Sequence, residues 1–351
     1  MRKIQVCVPS KVMIVGEYAV LEGEPCLSTC IPPALFVHLE DSNNEKYQIE
    51  SKDWYENKSF DYFELQKVAQ KYYFYKIFYN AIKEYQIGPV KMTIDSKIPS
   101  YAGFGSSSAL RLGINLACSL FNKLSYAEKP TTKETWTAAK SAFLDQKFLQ
   151  SNASGYDIIT QLHGGVIVTS PLQEAWPGKI NKLSVNENRV RNFLHIYLGG
   201  KGSQTKKVLN DTHQWLKDCG EYKSFLTYSS CLVAKISHIL STESYCSQSL
   251  GELFSLNQKH RKILARSPHF PHLLAGKLNG IEGLDKKWTY KTTGAGGEDA
   301  VLVFGKKEEL EEVNTVFENL GWRKEEYTID NKGVHYSASY EGIQDEKALL
   351  C

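Results

Sequence analysis

The chain of 351 residues is long enough for two domains, or for one large α/β body with an added lobe. Hydrophobic residues make up 42% and charged residues 23% of it, which is ordinary for a globular protein with a sizeable core. The 42 lysines and arginines against 39 aspartates and glutamates give a net charge of +3. That charge is too small and too spread out to indicate nucleic acid or an anionic membrane as a partner.

No targeting segment is predicted, and the pattern of cysteines indicates a reducing compartment. No apolar run approaches the ~20 residues of a membrane-spanning helix. After Arg2 and Lys3, polar residues interrupt the apolar stretch too soon for the core of a signal peptide. The eight cysteines are scattered and form no CxxC pair, so we expect reduced thiols in a cytoplasmic protein. Cys26 and Cys30 have no matching second pair for zinc and are interpreted as structural.

The predicted elements change in character along the chain. In the first half, apolar patterning predicts strands at 4–8, 12–15, 24–39, 46–51, 90–94 and 164–169, and helices at 62–85, 107–122 and 132–149. In the second half it predicts strands at 195–198, 300–304, 326–329 and 334–339, a largely helical stretch at 204–280 and a helix at 307–319. We therefore predict an α+β protein of two lobes with a boundary near 180–195.

Segment 101–110, YAGFGSSSAL, places two glycines and three hydroxyls before a predicted helix. Gly103 and Gly105 let the backbone come close to a ligand, and the free N–H groups of a helix N-terminus attract phosphate. The segment is neither a Walker A loop nor a dinucleotide fingerprint, because it lacks the closing Gly-Lys-Ser/Thr and the third glycine. On its own it is compatible with an anion site and with a turn that merely caps a helix.

Two further segments are ambiguous when taken singly. In 9–25, PSKVMIVGEYAVLEGEP, Lys11 and Glu17 could share one cleft, or could be a surface lysine and an exposed acid. The glycine-rich turn in 291–304, KTTGAGGEDAVLVF, suits a phosphate site and a plain reversal of the chain about equally.

Taken together with 151–165, SNASGYDIITQLHGG, these segments resemble the GHMP kinase superfamily. The three motifs of that superfamily occur in order, at 9–11, 103–109 and 293–297. The resemblance implies the GHMP kinase fold, with an N-terminal ribosomal protein S5-like, ATP-binding domain at 1–185. It also implies a C-terminal ferredoxin-like domain at 186–351.

The resemblance further implies an ATP-dependent kinase that uses Mg²⁺, with Lys11 and Asp157 as catalytic residues. The residues expected to bind ATP are Gly103, Gly105, Ser106, Ser107 and Ser108, with Ser107 also as the Mg²⁺ ligand. The residues expected to bind the substrate are Glu17, Tyr18, Ser154, Gly155, Gly294, Ala295, Gly296 and Gly297. Phosphoryl transfer needs mainly positioning and charge stabilisation, which this set of residues suits.

Three details indicate the phosphorylated acceptor of the mevalonate route. Segment 16–22, GEYAVLE, is similar to bacterial phosphomevalonate kinases, whereas mevalonate kinases usually have histidine at the position of Tyr18. Segment 291–299 is likewise similar to the form K-x-S/T-G-A-G-G-x-D of phosphomevalonate kinases. Mevalonate kinases carry a Mg²⁺-binding glutamate eleven residues before the catalytic aspartate, and here that position is Gln146. The adjacent Asp145 is turned ~100° away on a helix.

Segment 199–211, GGKGSQTKKVLND, supports the same acceptor. It resembles a family stretch that opens a helix, where Lys201, Ser203, Thr205 and Lys206 could hold a substrate phosphate. The alternative is a solvated, basic helix start. Asp157 argues in the other direction, because a hydroxyl acceptor benefits from a general base and an ionised phosphate needs none.

The sequence thus predicts phosphoryl transfer from ATP to 5-phosphomevalonate. The alternatives are mevalonate kinase or another small-alcohol kinase and, from a different class, a non-catalytic GHMP-fold binding protein. The expected partner is a small phosphate or alcohol, with neither nucleic acid nor a membrane, in a monomer or homodimer.

Overall fold

The computed structural model describes residues 1–51, 56–124, 131–150, 152–172, 175–199, 205–242, 246–270, 273–293, 300–340 and 343–348. The strands are β1 Lys3–Val15, β2 Cys26–Asp41, β3 Tyr47–Ser51, β4 Glu56–Phe60, β5 Val90–Ser96, β6 Val166–Ser170, β7 Lys179–Leu183, β8 Leu194–Leu198, β9 Trp288–Thr292, β10 Ala300–Gly305, β11 Arg323–Glu325, β12 His335–Tyr340 and β13 Ile343–Ala348. The helices are α1 Tyr62–Ala69, α2 Tyr73–Glu84, α3 Ser106–Leu124, α4 Thr132–Gln150, α5 Tyr156–His163, α6 Glu187–Phe193, α7 Thr205–Asp218, α8 Tyr222–Ser241, α9 Ser247–Leu264, α10 Leu273–Leu278 and α11 Lys307–Asn319. A short 3₁₀ helix covers Ala19–Glu22.

The first sheet is built around the long antiparallel pair β1 and β2. Its strands follow the order β13-β12-β1-β2-β5-β3-β4, with β6 and β7 attached to β2. Helix α3 packs on this sheet, and Gly113 permits the close approach, because a Cβ there would lie 2.8 Å from Val37. The apolar side chains of β1, β2 and α3 form one core, which fixes the N-terminus of α3 beside the middle of β1.

The second sheet has the order β11-β8-β10-β9 and is antiparallel throughout. Its elements follow as β8, the helices α7–α10, β9, β10, α11 and β11, which is the β-α-β-β-α-β ferredoxin-like arrangement. Helix α11 packs on it through Phe317, whose ring stacks on Tyr197 with centroids 4.3 Å apart. The predicted α+β class is confirmed.

The last strands return to the first sheet. β12 pairs with β1, so that Ser339 lies opposite Lys3 and His335 lies opposite Cys7, and β13 pairs with β12. The domain division at 185/186 stays a prediction, and these two strands lie beyond that boundary in sequence. None of the helices in the described ranges is both long and apolar enough to cross a membrane.

The structure corrects the predicted interruption of the first strand. The strands expected at 4–8 and 12–15 form the single strand β1, which has a register shift between Pro9 and Ser10. A proline has no N–H group for the ladder but is tolerated where a bulge breaks the regular pairing. The irregularity therefore replaces the predicted break and keeps Lys11 within the strand.

Two other predicted elements also differ. The single helix expected at 62–85 is two helices, because Tyr72 is extended, with φ −123° and ψ 123°. Apolar spacing shows which side of a segment faces the core, and it does not reveal a short break that keeps this side inward. The strand expected at 326–329 is absent: Tyr327 and Ile329 are buried, but Tyr327 anchors the segment by donating its hydroxyl to the carbonyl of Leu194 at 2.7 Å.

Candidate active site

A cavity of about 460 Å³ opens where the two halves of the chain meet. Its walls come from β1 and the segment after it, the N-terminus of α3, the end of α4, the start of α5, and Leu209 of α7. The polar and charged lining residues are Lys11, Glu17, Tyr18, Ser100, Ser106, Ser107, Ser108, Arg111, Gln146, Gln150, Asn152, Ser154, Tyr156 and Asp157. Charged, amide and hydroxyl groups thus face one space.

Lys11 is held at this cavity by its backbone and by its ammonium group. Its N–H donates to the carbonyl of Phe104 at 2.9 Å. Its Nζ donates to the carbonyl of Gly103 at 3.0 Å and to the hydroxyl of Tyr156 at 2.8 Å. Burial lowers the pKa of Lys11, and the nearby charge of Asp157 opposes that change. The lysine is only 5% exposed, so its ammonium is fixed in place.

The glycine-rich loop 103–105 is locked against β1. Gly103 and Gly105 have φ of 68° and 81°, the left-handed region that favours glycine. A Cβ on Gly105 would lie 2.8 Å from Cγ of Lys11. The amide Nε2 of Gln161 donates to the carbonyl of Gly105 at 3.1 Å and to that of Pro9 at 3.0 Å. The lysine, the loop and α5 therefore form one rigid unit.

The N-terminus of α3 presents three serines to the cavity, at positions 106, 107 and 108. The hydroxyl of Ser108 donates to the carbonyl of Gly105 at 2.9 Å. The hydroxyl of Ser107 accepts a hydrogen bond from Nη1 of Arg111 at 2.7 Å. The N–H groups of a helix's first turn have no partner within the helix, so this end of α3 favours an anion.

Asp157 lies in the first turn of α5 with both carboxylate oxygens engaged. Oδ1 accepts the N–H of Ile158 at 3.0 Å, and Oδ2 accepts Nε2 of Gln146 at 2.9 Å. The Oε1 atom of Gln146 is buried and has no partner among the described residues. Gln146 therefore fixes the orientation of Asp157, which is 8% exposed at the cavity wall.

Glu17, which lines the same cavity, is paired with a buried lysine of β9. Nζ of Lys291 lies 3.3 Å from Oε2 of Glu17, and their side chains are 2% and 6% exposed. The N–H of Gly16 also donates to Oε2 at 3.1 Å. Burial lowers the pKa of Lys291, and the charge of Glu17 opposes this. The neighbouring Tyr18 is buried against Phe270, with ring centroids 6.4 Å apart.

Comparison with known proteins shows which fold contains this arrangement of residues. Residues 72–165 match the family model of the GHMP kinases N-terminal domain. A Lin0012 protein from Listeria innocua has the same fold, with a TM-score of 0.70 at 22% identity over 96% of this chain and 99% of that one. The phosphomevalonate kinase of Streptococcus pneumoniae, in complex with phosphomevalonate and AMPPNP, gives 0.65 at 16% identity over 94% and 100% of the chains. The chain has the GHMP kinase fold.

A curated relative covers less of the chain. The mevalonate kinase of Pyrococcus furiosus is 26% identical over 178 residues, which are 47% of this chain and 51% of that protein. The alignment thus spans about half of the length of this relative. The predicted resemblance to the GHMP kinases, with mevalonate and phosphomevalonate kinases among the relatives, is confirmed.

The GHMP fold brings most of the predicted site residues together. Those that line the cavity are Lys11, Glu17, Tyr18, Gly103, Gly105, Ser106, Ser107, Ser108, Ser154 and Asp157. Gly155 is not among the lining residues: its φ is 72°, and a Cβ there would lie 2.5 Å from Nε1 of Trp176. It shapes the turn into α5. The chemical roles predicted for all these residues stay predictions.

The other predicted site residues cannot be compared with the structure, because their side chains lie outside its description. Lys201, Ser203, Gly294, Ala295, Gly296 and Gly297 lie outside the described residues. Thr205 and Lys206 begin α7, and the placement of their side chains is likewise outside the description.

Three residues of the site were missed by the sequence reasoning: Arg111, Tyr156 and Gln161. Arg111 had a usable signal, because it is a single charge in an apolar helical run and stands four residues after Ser107, on the same helix face. Gln161 stands four residues after Asp157, also on one helix face. Tyr156 gave no signal, since its hydroxyl reaches Lys11 only through the packing of α5 on β1.

The donor groups around Ser107 fit an anion better than Mg²⁺. The hydroxyl of Ser107 faces a guanidinium, which would repel a divalent cation, and position 146 offers an amide instead of a carboxylate. In the described part of the chain, no group of three or more His, Cys, Asp or Glu side chains could hold a metal. Ser107 as a Mg²⁺ ligand therefore stays a prediction without support from this arrangement.

Proposed function

We propose that the protein is a phosphotransferase that moves the γ-phosphoryl group of ATP to a small acceptor. The observation that carries this proposal is the convergence of Lys11, the N-terminus of α3 and Asp157 on one cavity. These are a fixed cation, a cluster of N–H donors and a carboxylate, which phosphoryl transfer uses for positioning and charge stabilisation. The GHMP kinase fold supports the same reaction.

Two parts of the cavity take different roles in this proposal. The nucleotide side consists of Lys11, the loop and helix start at 103–108, and Arg111, and it would hold the phosphates of ATP. The acceptor side consists of Glu17 and Tyr18, with Lys291 behind Glu17. Mg²⁺, when it arrives with ATP, would neutralise phosphate charge. Asp157 lines the same cavity. A hydroxyl acceptor would pass its proton to this carboxylate as its oxygen bonds to the γ-phosphorus and the bond from that phosphorus to the departing ADP oxygen breaks.

We propose 5-phosphomevalonate as the acceptor, with diphosphomevalonate and ADP as products. The segments 16–22 and 291–299 support this choice, as does the amide of Gln146 at the position of the mevalonate kinases' metal-binding glutamate. The phosphomevalonate kinase of Streptococcus pneumoniae shares the fold over nearly the whole chain. In this reaction the attacking phosphate is already ionised, and Asp157 would hold Lys11 in place through its charge.

Mevalonate is the second candidate, because a specific observation favours it. Asp157 is held with a fixed orientation at the cavity wall, as a general base for a hydroxyl would need to be. The half-length similarity to the mevalonate kinase of Pyrococcus furiosus supports the same candidate.

The test is the release of ADP from ATP and Mg²⁺ with each acceptor offered in parallel. Turnover with 5-phosphomevalonate alone would support the first candidate, and turnover with mevalonate alone would support the second. Silence with both, and with other small alcohols, would contradict the proposal of a kinase and leave a non-catalytic binding protein.

The variants Lys201→Ala and Lys206→Ala test the predicted phosphate site at the start of α7. Each charge-assisted contact is worth roughly 1.5–3 kcal/mol, so we expect KM for the phosphorylated acceptor to rise about 10- to 150-fold. KM for ATP should change much less, which provides the internal control. An unchanged KM for that acceptor in both variants would contradict the assignment.

A further inference from the structure

Arg111 is a buried cation that contacts only neutral groups. Its residue is 2% exposed. Nη1 donates to the carbonyl and to the hydroxyl of Ser107, each at 2.7 Å, and Nε donates to the hydroxyl of Tyr73 at 2.8 Å. Among the described residues, Nη2 has no acceptor and the guanidinium has no ion-pair partner. Buried ions are normally paired, because an uncompensated charge in the interior is strongly unfavourable.

Other arginines of the chain show the usual solution. Arg261 places Nη2 at 2.6 and 2.7 Å from the two carboxylate oxygens of Asp285, and Arg2 contacts Asp41. Asp145, an acid of the neighbouring helix α4, does not complete such a pair with Arg111. Its Oδ1 accepts from Asn80 at 3.3 Å, and the charge of Arg111 acts on it only from a distance.

The position of Arg111 explains what its partner would be. The arginine lines the cavity together with the three serines that begin α3. The side chain is more than nine-tenths buried, and its free donors adjoin a helix N-terminus that already favours an anion. A guanidinium and helix N–H groups together match the oxygens of a phosphate.

We propose that Arg111 binds a phosphate of the nucleotide and supplies, beside Ser107, the positive charge that a protein-bound metal ion would otherwise supply. This inference rests on the proposed function. It accounts together for two differences from the predicted Mg²⁺ site: the cation in contact with Ser107 and the amide, instead of a carboxylate, at position 146. A carboxylate at 146 would help to hold a metal, whereas an arginine needs none there. Nucleotide binding should consequently have a large component that is independent of Mg²⁺.

The test is calorimetric titration with AMPPNP, in Mg²⁺ and in EDTA, of the wild-type protein, Arg111→Gln and Arg111→Lys. Wild type should bind in EDTA with a Kd within about tenfold of that in Mg²⁺. In EDTA, Arg111→Gln should weaken binding about 10- to 150-fold, the value of one charge-assisted contact. Arg111→Lys keeps the charge and should recover part of that loss. Arg261→Gln is the matched control and should leave the Kd unchanged.

The outcomes separate this inference from the proposed function. If wild type binds AMPPNP only when Mg²⁺ is present, the inference is wrong and the proposed function stands. If it binds under neither condition, both are wrong. An Arg111→Gln protein that folds and keeps its Kd in EDTA within twofold would also overturn the inference. Thermal unfolding checks the fold of each variant, and the wild-type comparison decides the matter if Arg111→Gln does not fold.

Discussion

The two sides of the cavity treat buried positive charge in opposite ways. On the acceptor side, Lys291 is paired with Glu17 at 3.3 Å. On the nucleotide side, Lys11 and Arg111 are also buried, but among the described residues they donate hydrogen bonds only to carbonyl and hydroxyl groups and otherwise face tyrosine rings. On the acceptor side each ion thus has a partner in contact, whereas on the nucleotide side no carboxylate among the described residues contacts either cation.

This difference separates stability from binding. Removing one member of a buried ion pair lowers stability, because the other charge stays buried without compensation. A buried cation without an ion-pair partner lowers stability already, until a ligand supplies the opposite charge. The buried cations on the nucleotide side therefore lower the stability of the free protein, and a bound polyphosphate would offset this cost. Substitutions on the two sides should consequently change the free energy of unfolding in different directions.

The largest effect is expected at Asp157, the carboxylate that would take the proton of a hydroxyl acceptor. Asp157→Asn should lower kcat about 10²- to 10⁴-fold with a hydroxyl acceptor, because the general base is lost. The amide can accept at one atom only, so Gln146 would have to turn its own amide to keep the second contact. Steady-state ADP release measures this change. Asp145→Asn is the matched control, since that carboxylate faces Asn80 and should leave kcat within threefold. A loss below tenfold in Asp157→Asn would remove this residue from the chemistry.

The next effect tests the acceptor side. Lys291→Met leaves Glu17 buried without a counter-charge, so the free energy of unfolding should fall by about 3–5 kcal/mol. The double variant Glu17→Gln/Lys291→Met removes both charges and should regain most of that loss. Urea unfolding of wild type, the two single variants and the double variant measures these values. If the double variant loses the sum of the unfolding free energies that the two single substitutions lose, Glu17 and Lys291 do not compensate each other.

A smaller effect concerns His260 of α9, which is buried against Phe225. Burial lowers the pKa of His260 to about 4 from 6.5, and the charge of Glu17 opposes this. Between these values the unfolded chain binds a proton that the folded protein does not bind, so stability should be lost as the pH falls from 6.5 to 4. The loss can reach about 3 kcal/mol.

The variant His260→Phe isolates that contribution. It keeps an aromatic ring on Phe225 and should flatten the dependence of stability on pH between about 7 and 4.5, as followed by urea unfolding. His269→Phe, at an exposed position, serves as the control and should leave the dependence as in the wild type. A pH dependence unchanged in His260→Phe would assign the acid sensitivity to other groups.

Local patterns in the sequence predicted much of this molecule. The amphipathic helix at 307–319 has the predicted bounds. The motifs shared with the GHMP kinases predicted one site for Lys11, the loop at 103–108 and Asp157, and all of these line the same cavity. Such features depend on neighbouring residues or on a motif with a fixed spacing, and both can be read from one segment at a time.

The missed features depend on contacts between distant segments. The pairing of β12 with β1 joins residues more than 300 positions apart, and no local pattern encodes it. The roles of Gln161 and Tyr156 arise only when α5 packs on β1 and the glycine loop. Arg111 was readable as a charge within an apolar run, but its lack of a counter-ion among the described residues is visible only with its surroundings in place.

The most direct test of the central claim is the urea unfolding of wild type and Lys11→Met, each with and without saturating AMPPNP. Without nucleotide, the account predicts that Lys11→Met is at least as stable as wild type, because burial disfavours the Lys11 ammonium more than the charge of Asp157 favours it. With AMPPNP at one fixed concentration, about 100 times the wild-type Kd, wild type should gain about 2.7 kcal/mol and Lys11→Met much less, because its Kd is higher. A variant that is destabilised alone and stabilised by AMPPNP as strongly as wild type would contradict the account.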